Sequence, residues 1–390
     1  MPNSRIINSE GLDRKSDKEG GSNKARKILL VSNGFYPEIS PRSYRVTELA
    51  KELFRQGHEV TVISKFRDHD YNGFLDEYPI NLKMWGSSKW PKIPDLKNKY
   101  WSFLCRGFSR VLSILFEYPA IEDMFKVKKE LKPESGYDLL ISFAVPYPVH
   151  WGVAWARTAT HRIAAKWVAD CGDPYMGDVL DSFRKPFYFG LLEKWFCRKA
   201  DYLSIPLDSA RSGYYKEFQN KIKVIPQGFD FDSNNNMLKQ PDNEVVTFAY
   251  AGSFLPGARD PDSLMEYLAE LDIPFRFLIF TNKPEFLGRF VNRMKDKLLV
   301  YEYIPRDELM KVLVRMDFLI NFDNNTTRNS PSKLIDYSIC GRPVLNIRRV
   351  FNKEDLVAFL NRDYNKKMPL PAPVGFHISN VSRSFLRLIG

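Results

Sequence analysis

Apolar residues follow two alternating rhythms along this chain. Short unbroken apolar runs are separated by longer stretches with apolar residues three and four apart. The first run, Lys27–Ser32 (KILLVS), has the character of a parallel strand covered on both faces. After a loop over 33–43, Val46, Leu49, Ala50, Leu53 and Phe54 mark one face of a helix over 44–55. Gly57 closes that helix, and Glu59–Ser64 (EVTVIS) is a second strand. Strand, helix and strand predict a parallel pair joined by a right-handed crossover. The alternation continues with strands Tyr137–Phe143, 165–169, Tyr202–Ile205 and 223–225, and helices over 151–160, 187–200 and 209–218. It breaks at 226–243 (PQGFDFDSNNNMLKQPDN), where turn formers crowd together as in an interdomain linker.

A second alternating run follows. Strands are predicted at 245–251, Phe275–Phe280, Leu298–Tyr301, Phe318–Phe322 and Val344–Ile347. Helices fall at Asp262–Glu270, 285–294, 306–314, 330–341 and 353–361, with a last amphipathic one at 380–389. The expected fold class is therefore α/β, two Rossmann-like domains whose parallel sheets face across a cleft. The expected division is a polar disordered tail over 1–26, a first domain over 27–230, a linker over 231–243 and a second domain over 244–375. Residues 376–390 are expected to return to the first domain.

A chain of 390 residues exceeds one ordinary core, which agrees with two domains. Hydrophobic residues at 44% and charged residues at 27% are typical of a soluble globular protein. No apolar run reaches the roughly 18 residues of a membrane span. The mixed-charge start lacks the apolar core of a signal peptide. Cys105, Cys171, Cys197 and Cys340 are scattered without metal spacing, so a reducing cytoplasm is expected. A net charge of +11 favours acidic partners, whether nucleotide phosphate, anionic lipid or nucleic acid. One stretch narrows the choice. Over 83–116, Trp85, Trp90, Tyr100, Trp101, Phe103 and Phe108 interleave with Lys89, Lys92, Lys97, Lys99, Arg106 and Arg110. Its helix, over 98–116, suits the interface of an anionic membrane. The competing arrangement packs it on its own sheet with the long cations reaching out to water. No nucleic-acid recognition motif accompanies it, so no nucleic-acid partner is expected.

Ligands of such sheets sit at the carboxyl ends of strands. The loop after the first strand (NGFYPEISPRSYR) lacks G-x-G-x-x-G, which argues against a nicotinamide oxidoreductase. Arg42 and Arg45 there are candidates for a phosphate or an acidic acceptor. His150, Asp170 and Asp173 fall at later strand ends of the same domain. In the second domain, Gly252 allows close backbone approach and Arg259 could fork onto a diphosphate. Residues 330–341 (SPSKLIDYSICG) read as a helix with Ser330 as N-cap, Pro331 in the first turn and Gly341 past the end. Its first-turn amides, at Ser332, Lys333 and Leu334, with the Lys333 ammonium, form an anion site. Asp336 could accept hydrogen bonds from vicinal hydroxyls.

These motifs carry a resemblance. The stretch ILLVSNGFYPEISPRSYRVTELAKELFRQGHEVTVIS, then KADYLSIP, KVIPQGFDFD, FAYAGSF and SPSKLIDYSICGRPVL, is similar to segments of retaining glycosyltransferases of the GT-B fold, family 4-like, of a bacterial polysaccharide subgroup. The likeness spans about 27–390. It implies a nucleotide-sugar donor held by the second domain, with Asp336 at the ribose, Lys333 and helix amides at the diphosphate, and Arg259 beside it. It implies an active-site histidine at His150 and an acceptor-side motif at Asp173-Pro174-Tyr175. It implies sugar transfer with retention, no metal or other cofactor, and a saccharide or lipid-linked acceptor at the inner face of the cell membrane. The chain departs from the family where Pro261-Asp262-Ser263-Leu264 lacks the usual lysine, and where Arg328 replaces the first glutamate. A GT-B protein that binds nucleotide sugars without catalysis is the alternative.

Overall fold

The computed structural model describes residues 24–38, 40–66, 69–86, 88–90, 99–177, 184–231, 242–255, 259–323, 333–348 and 351–390, with side chains from Ser102 onward in the segment starting at 99. The first sheet is built from β1 (Lys27–Ser32), α1 (Pro41–Arg55), β2 (Glu59–Ser64), α2 (Asn72–Glu77), β3 (Asn81–Met84), α3 (Lys99–Phe116), α4 (Glu122–Leu131), β4 (Tyr137–Phe143), α5 (Pro148–Ala156), β5 (Ala164–Asp170), α6 (Tyr188–Lys199), β6 (Tyr202–Ile205) and β7 (Ile222–Val224). Its strand order is β3-β2-β1-β4-β5-β6-β7 and every pairing is parallel. The second sheet comprises β8 (Val246–Ala251), α7 (Asp262–Glu270), β9 (Phe275–Phe280), α8 (Gly288–Met294), β10 (Leu298–Tyr301), α9 (Arg306–Leu313), β11 (Phe318–Phe322), α10 (Lys333–Cys340), β12 (Val344–Ile347) and α11 (Lys353–Leu360). Its order is β10-β9-β8-β11-β12, again parallel. Each sheet reverses strand order beside its first strand, at β1/β4 and β8/β11, which opens a crevice at the carboxyl ends.

Burial explains the unbroken apolar strands. Ile28, Leu29, Leu30 and Val31 have no exposed surface, because helices cover both faces of the sheet. α1 starts where Ser40 accepts the Ser43 amide at 3.1 Å and Pro41 fills the first turn. The final helix, α12 (Ile378–Leu386), packs Ile378, Val381 and Phe385 into the same cluster as Ile28, Val46 and Leu49 of the first sheet. The chain thus comes back from the second sheet to finish the first core.

Several elements differ from the sequence reading. The helix expected over 151–160 is α5, which begins earlier with Pro148 in its first turn. The helix expected over 209–218 is two 3-10 segments, Asp208–Gly213 and Lys216–Lys221. Tyr214 and Tyr215, with ψ 153° and 137°, leave the helical region and separate the two segments. α2, β3 and α4 were not anticipated, since α2 is six residues with a glycine inside and β3 is four residues at a sheet edge. Most of the expected linker lies outside the described residues.

Candidate functional site

In the second domain, three chain segments converge at the ends of β8 and β11. Tyr337 of α10 ties them together. Its hydroxyl donates to the Ile320 carbonyl of β11 at 3.1 Å and accepts the Ala251 amide of β8 at 3.1 Å. Leu334 is buried beneath the same helix, so the first turn of α10 is held against the strand ends. Lys333 therefore projects beside β8, and its Nζ lies 4.4 Å from the Tyr250 ring centroid. Gly252 follows β8 with φ 155°, and a Cβ there would come within 2.8 Å of the Tyr250 hydroxyl. The glycine thus permits Tyr250 to fold back and donate to the Ser253 carbonyl at 3.1 Å.

Arg259 enters the same place from the loop after β8, against the Tyr250 hydroxyl. Lys333 Nζ and Arg259 Nε are both buried, and neither has a hydrogen-bond partner among the described residues. Burial, reinforced by the Arg259 charge, pushes the Lys333 ammonium down to about 7. The carboxylate one turn along does not neutralise them. Asp336 Oδ1 accepts from Arg306 Nε at 2.9 Å and Nη2 at 2.7 Å, and no bond from a described residue reaches Oδ2. Burial raises the Asp336 carboxyl, against the opposing pull of Arg306. Arg306 also lies 4.1 Å over the Phe229 ring. Phe229 belongs to the chain crossing between sheets and is paired with the start of α12 through the Phe376 and Ile378 backbone. Next to Arg259, Asp260-Pro261-Asp262 is an Asp-x-Asp triplet, but Asp260 accepts the Asp262 amide and Asp262 pairs with Arg289 at 2.8 Å. Ser332, Ser330, Pro331 and Arg328 lie outside the described residues.

The first-domain candidates are arranged differently. Arg45 is 3% exposed. It grips Asp170 with Nε at 2.6 Å and Nη2 at 2.7 Å, and donates to the Pro226 and Ile225 carbonyls at 2.6 and 3.0 Å. Ser204 adds a 2.6 Å bond to Asp170. Burial raises the Asp170 carboxyl, but Arg45 and these bonds outweigh it and hold the group below its ordinary value. Arg45 thus spends four of its five donors inside the protein. Arg42 is partly exposed and lies 3.7 Å from Asp170. Its Nη2 sits 1.0 Å from where a Cβ at residue 172 would stand, so Gly172 is what admits the guanidinium.

His150 has no exposed surface. Its Nδ1 is 2.8 Å from Ser142 Oγ and its Nε2 is 3.6 Å from Cys171 Sγ. Trp167 donates to the same Ser142 Oγ at 2.8 Å. Burial pushes the imidazole down to about 3, keeping it neutral. In this structure His150 supports the end of β4 and β5 from behind and touches no open space. Asp173 is exposed; its carbonyl accepts from the Tyr147 hydroxyl. Tyr175, two residues on, is buried and donates to Glu117 at 2.8 Å.

The structure therefore brings Gly252, Arg259, Lys333 and Asp336 together in the second domain, and Arg42, Arg45, Asp170 and Asp173 at strand ends of the first. Arg306, Tyr250 and Tyr337 escaped the sequence reading. Arg306 reads there as an ordinary helix-starting residue, and the two tyrosines as strand and helix core.

No family model matches this chain, and no curated protein matches it in sequence. Solved structures do match it in fold. The apo lipopolysaccharide outer core galactosyltransferase WaaB superposes with a TM-score of 0.56 at 13% identity, covering 93% of this chain and 99% of its own. A glycosyltransferase from Rickettsia africae gives 0.59 at 14% identity, covering 94% and 98%. Anabaena HepE, solved with UDP and glucose, gives 0.50 at 11% identity, covering 93% and 95%. Two parallel sheets and neighbours that match nearly end to end place the chain in the GT-B fold of glycosyltransferases.

Proposed function

We propose that this protein is a glycosyltransferase that moves a sugar from a nucleoside-diphosphate donor, with retention, to a saccharide or lipid-linked saccharide in cell-surface polysaccharide synthesis. The observation that carries this reading is the pair of Arg259 and Lys333, whose buried Nε and Nζ meet no acid among the described residues. Uncompensated buried charge is costly, and an anion that enters the site removes that cost. A diphosphate fits that demand, and HepE, of the same fold, holds UDP and glucose. Asp336 lies one turn beyond Lys333, where Arg306 fixes its Oδ1 and its Oδ2 would accept from the ribose hydroxyls.

In this reading the bond from anomeric carbon to diphosphate breaks, and charge develops on the leaving phosphate. Arg259, Lys333 and the amides at the start of α10 stabilise it, the kind of preorganised electrostatics that is usually the largest catalytic term. No metal is required by this scheme. Asp173 and Arg42 flank the acceptor side. His150 acts by holding the β4 and β5 ends in place.

The test is calorimetric binding of UDP, GDP and their sugars, then transfer of labelled sugar to a lipid-linked acceptor. A nucleotide that raises Tm in the parent but not in Lys333→Met or Arg259→Met supports the site. Equal binding by all three proteins sinks it. Tight binding without turnover on any acceptor would leave a nucleotide-sugar-binding protein of this fold.

A further inference from the structure

We infer that α3, together with the start of α6, is a docking surface for an anionic lipid bilayer. Leu104, Phe108, Val111 and Leu115 recur at four, three and four residues, one face of a helix, and are 43, 59, 49 and 38% exposed. Phe103 and Phe116 add 68 and 57% beside them. Between residues 102 and 116 the less exposed Ser102, Cys105, Ser109, Leu112 and Ser113 share one face of the helix, and the exposed apolar stripe stands on a different one. The patch continues onto a second element. The Tyr188 hydroxyl donates to the Leu115 carbonyl, which brings Phe187 and Leu191, 85 and 66% exposed, next to the end of α3. Apolar area of this kind is covered by something in a working protein.

Charge selects the cover. α3 contains Arg106 and Arg110 and no acidic residue, and the whole chain carries +11. A second copy would set these like charges together, whereas an anionic leaflet complements them. No described helix is long and apolar enough to cross a membrane, so α3 would lie along the interface with its aromatic and aliphatic side chains in the headgroup boundary.

The surface also has a reason to be where it is, which rests on the sugar-transfer reading. Immediately after α3, Glu117 accepts from Tyr175 at 2.8 Å and Lys185 at 2.5 Å. Tyr175 closes the turn that presents Asp173. A bilayer under α3 therefore lies beside the acceptor turn and would deliver a lipid-linked acceptor to it.

Co-sedimentation of the full chain with phosphatidylcholine vesicles, with and without about one-third phosphatidylglycerol, tests this. The anionic vesicles should bind at least tenfold better, and binding should weaken as salt rises. Phe108→Ser with Val111→Ser, and separately Arg106→Glu with Arg110→Glu, should each lose at least tenfold while the UDP-induced rise in Tm is kept. Equal binding to both vesicle types, no binding, or variants that bind like the parent would overturn the inference. So would a dimer in sedimentation velocity that the Phe108/Val111 variant abolishes, because a second copy would then be the cover. Vesicle binding that persists while UDP and sugar nucleotides fail to bind would overturn the sugar-transfer reading and leave this one standing.

Discussion

Both domains place arginine at the carboxyl ends of parallel strands, and they treat the charge in opposite ways. In the first, Arg45 meets Asp170 through two bonds of 2.6 and 2.7 Å and spends its other donors on backbone carbonyls. In the second, Arg259 and Lys333 sit together with Nε and Nζ buried and unpartnered among the described residues, while the nearby Asp336 is committed to Arg306. The first arrangement is closed and structural. Among the described residues, the second lacks the negative charge that would complete it. Residue type alone does not separate a ligand-binding arginine from a structural one. The balance of charge around it does.

The comparison breaks most visibly at Arg45. Arg45→Met should leave the buried Asp170 carboxylate with only Ser204 and the more distant Arg42, and cost about 3 kcal/mol of stability, read by denaturant unfolding. A loss under about 1 kcal/mol would mean that the pair is not the clamp described here.

Lys333→Met should do the reverse. Folding lowers the Lys333 pKa, so its contribution is a cost that is full below about pH 7 and vanishes above the unfolded value. The variant should therefore match or exceed the parent in stability at pH 6, yet bind UDP about 10–100-fold more weakly, the worth of a hydrogen bond to a charged group. A destabilised variant with normal UDP affinity would reverse the roles assigned to the two clusters.

Arg306→Ala should weaken UDP binding by about tenfold, as a mispositioned carboxylate loses about one hydrogen bond. Because Arg306 acts through Asp336, the double variant Arg306→Ala/Asp336→Ala should bind no worse than Asp336→Ala alone. Additive losses would give Arg306 its own contact with the ligand.

The smallest effect concerns pH. Above about pH 7 free Lys333 loses its proton, and a bound diphosphate restores it. UDP binding at pH 8 should take up a fraction of a proton, seen as a buffer-dependent calorimetric enthalpy, and affinity should fall by no more than about tenfold per pH unit. Lys333→Met should show neither behaviour.

Much of the architecture was legible beforehand. KILLVS, EVTVIS and FLINF are buried on both faces and read as parallel strands without ambiguity, and 262–270 was bounded as α7 is observed. Short or edge elements such as β3 and α2 carry too few periodic positions to register. The site was legible as a set of positions, because strand ends and Gly-bearing loops can be located along the chain. The state of each side chain was not. Asp170 is 125 residues from Arg45, Arg306 is 30 from Asp336, and Tyr250 meets Lys333 only because Tyr337 pins α10 to β8.

The amino-acid sequence by itself determined two parallel α/β domains, the loops where ligands meet them and an amphipathic basic–aromatic helix. Those features follow from local periodicity and turn chemistry, which neighbours in the chain decide. Only the tertiary structure decided that His150 is sealed, that Arg45 is neutralised, that Arg259 and Lys333 meet no acid among the described residues, and that α3 keeps an apolar stripe exposed. Burial and charge compensation depend on groups far apart in the chain, and they take their values only when the fold brings those groups together.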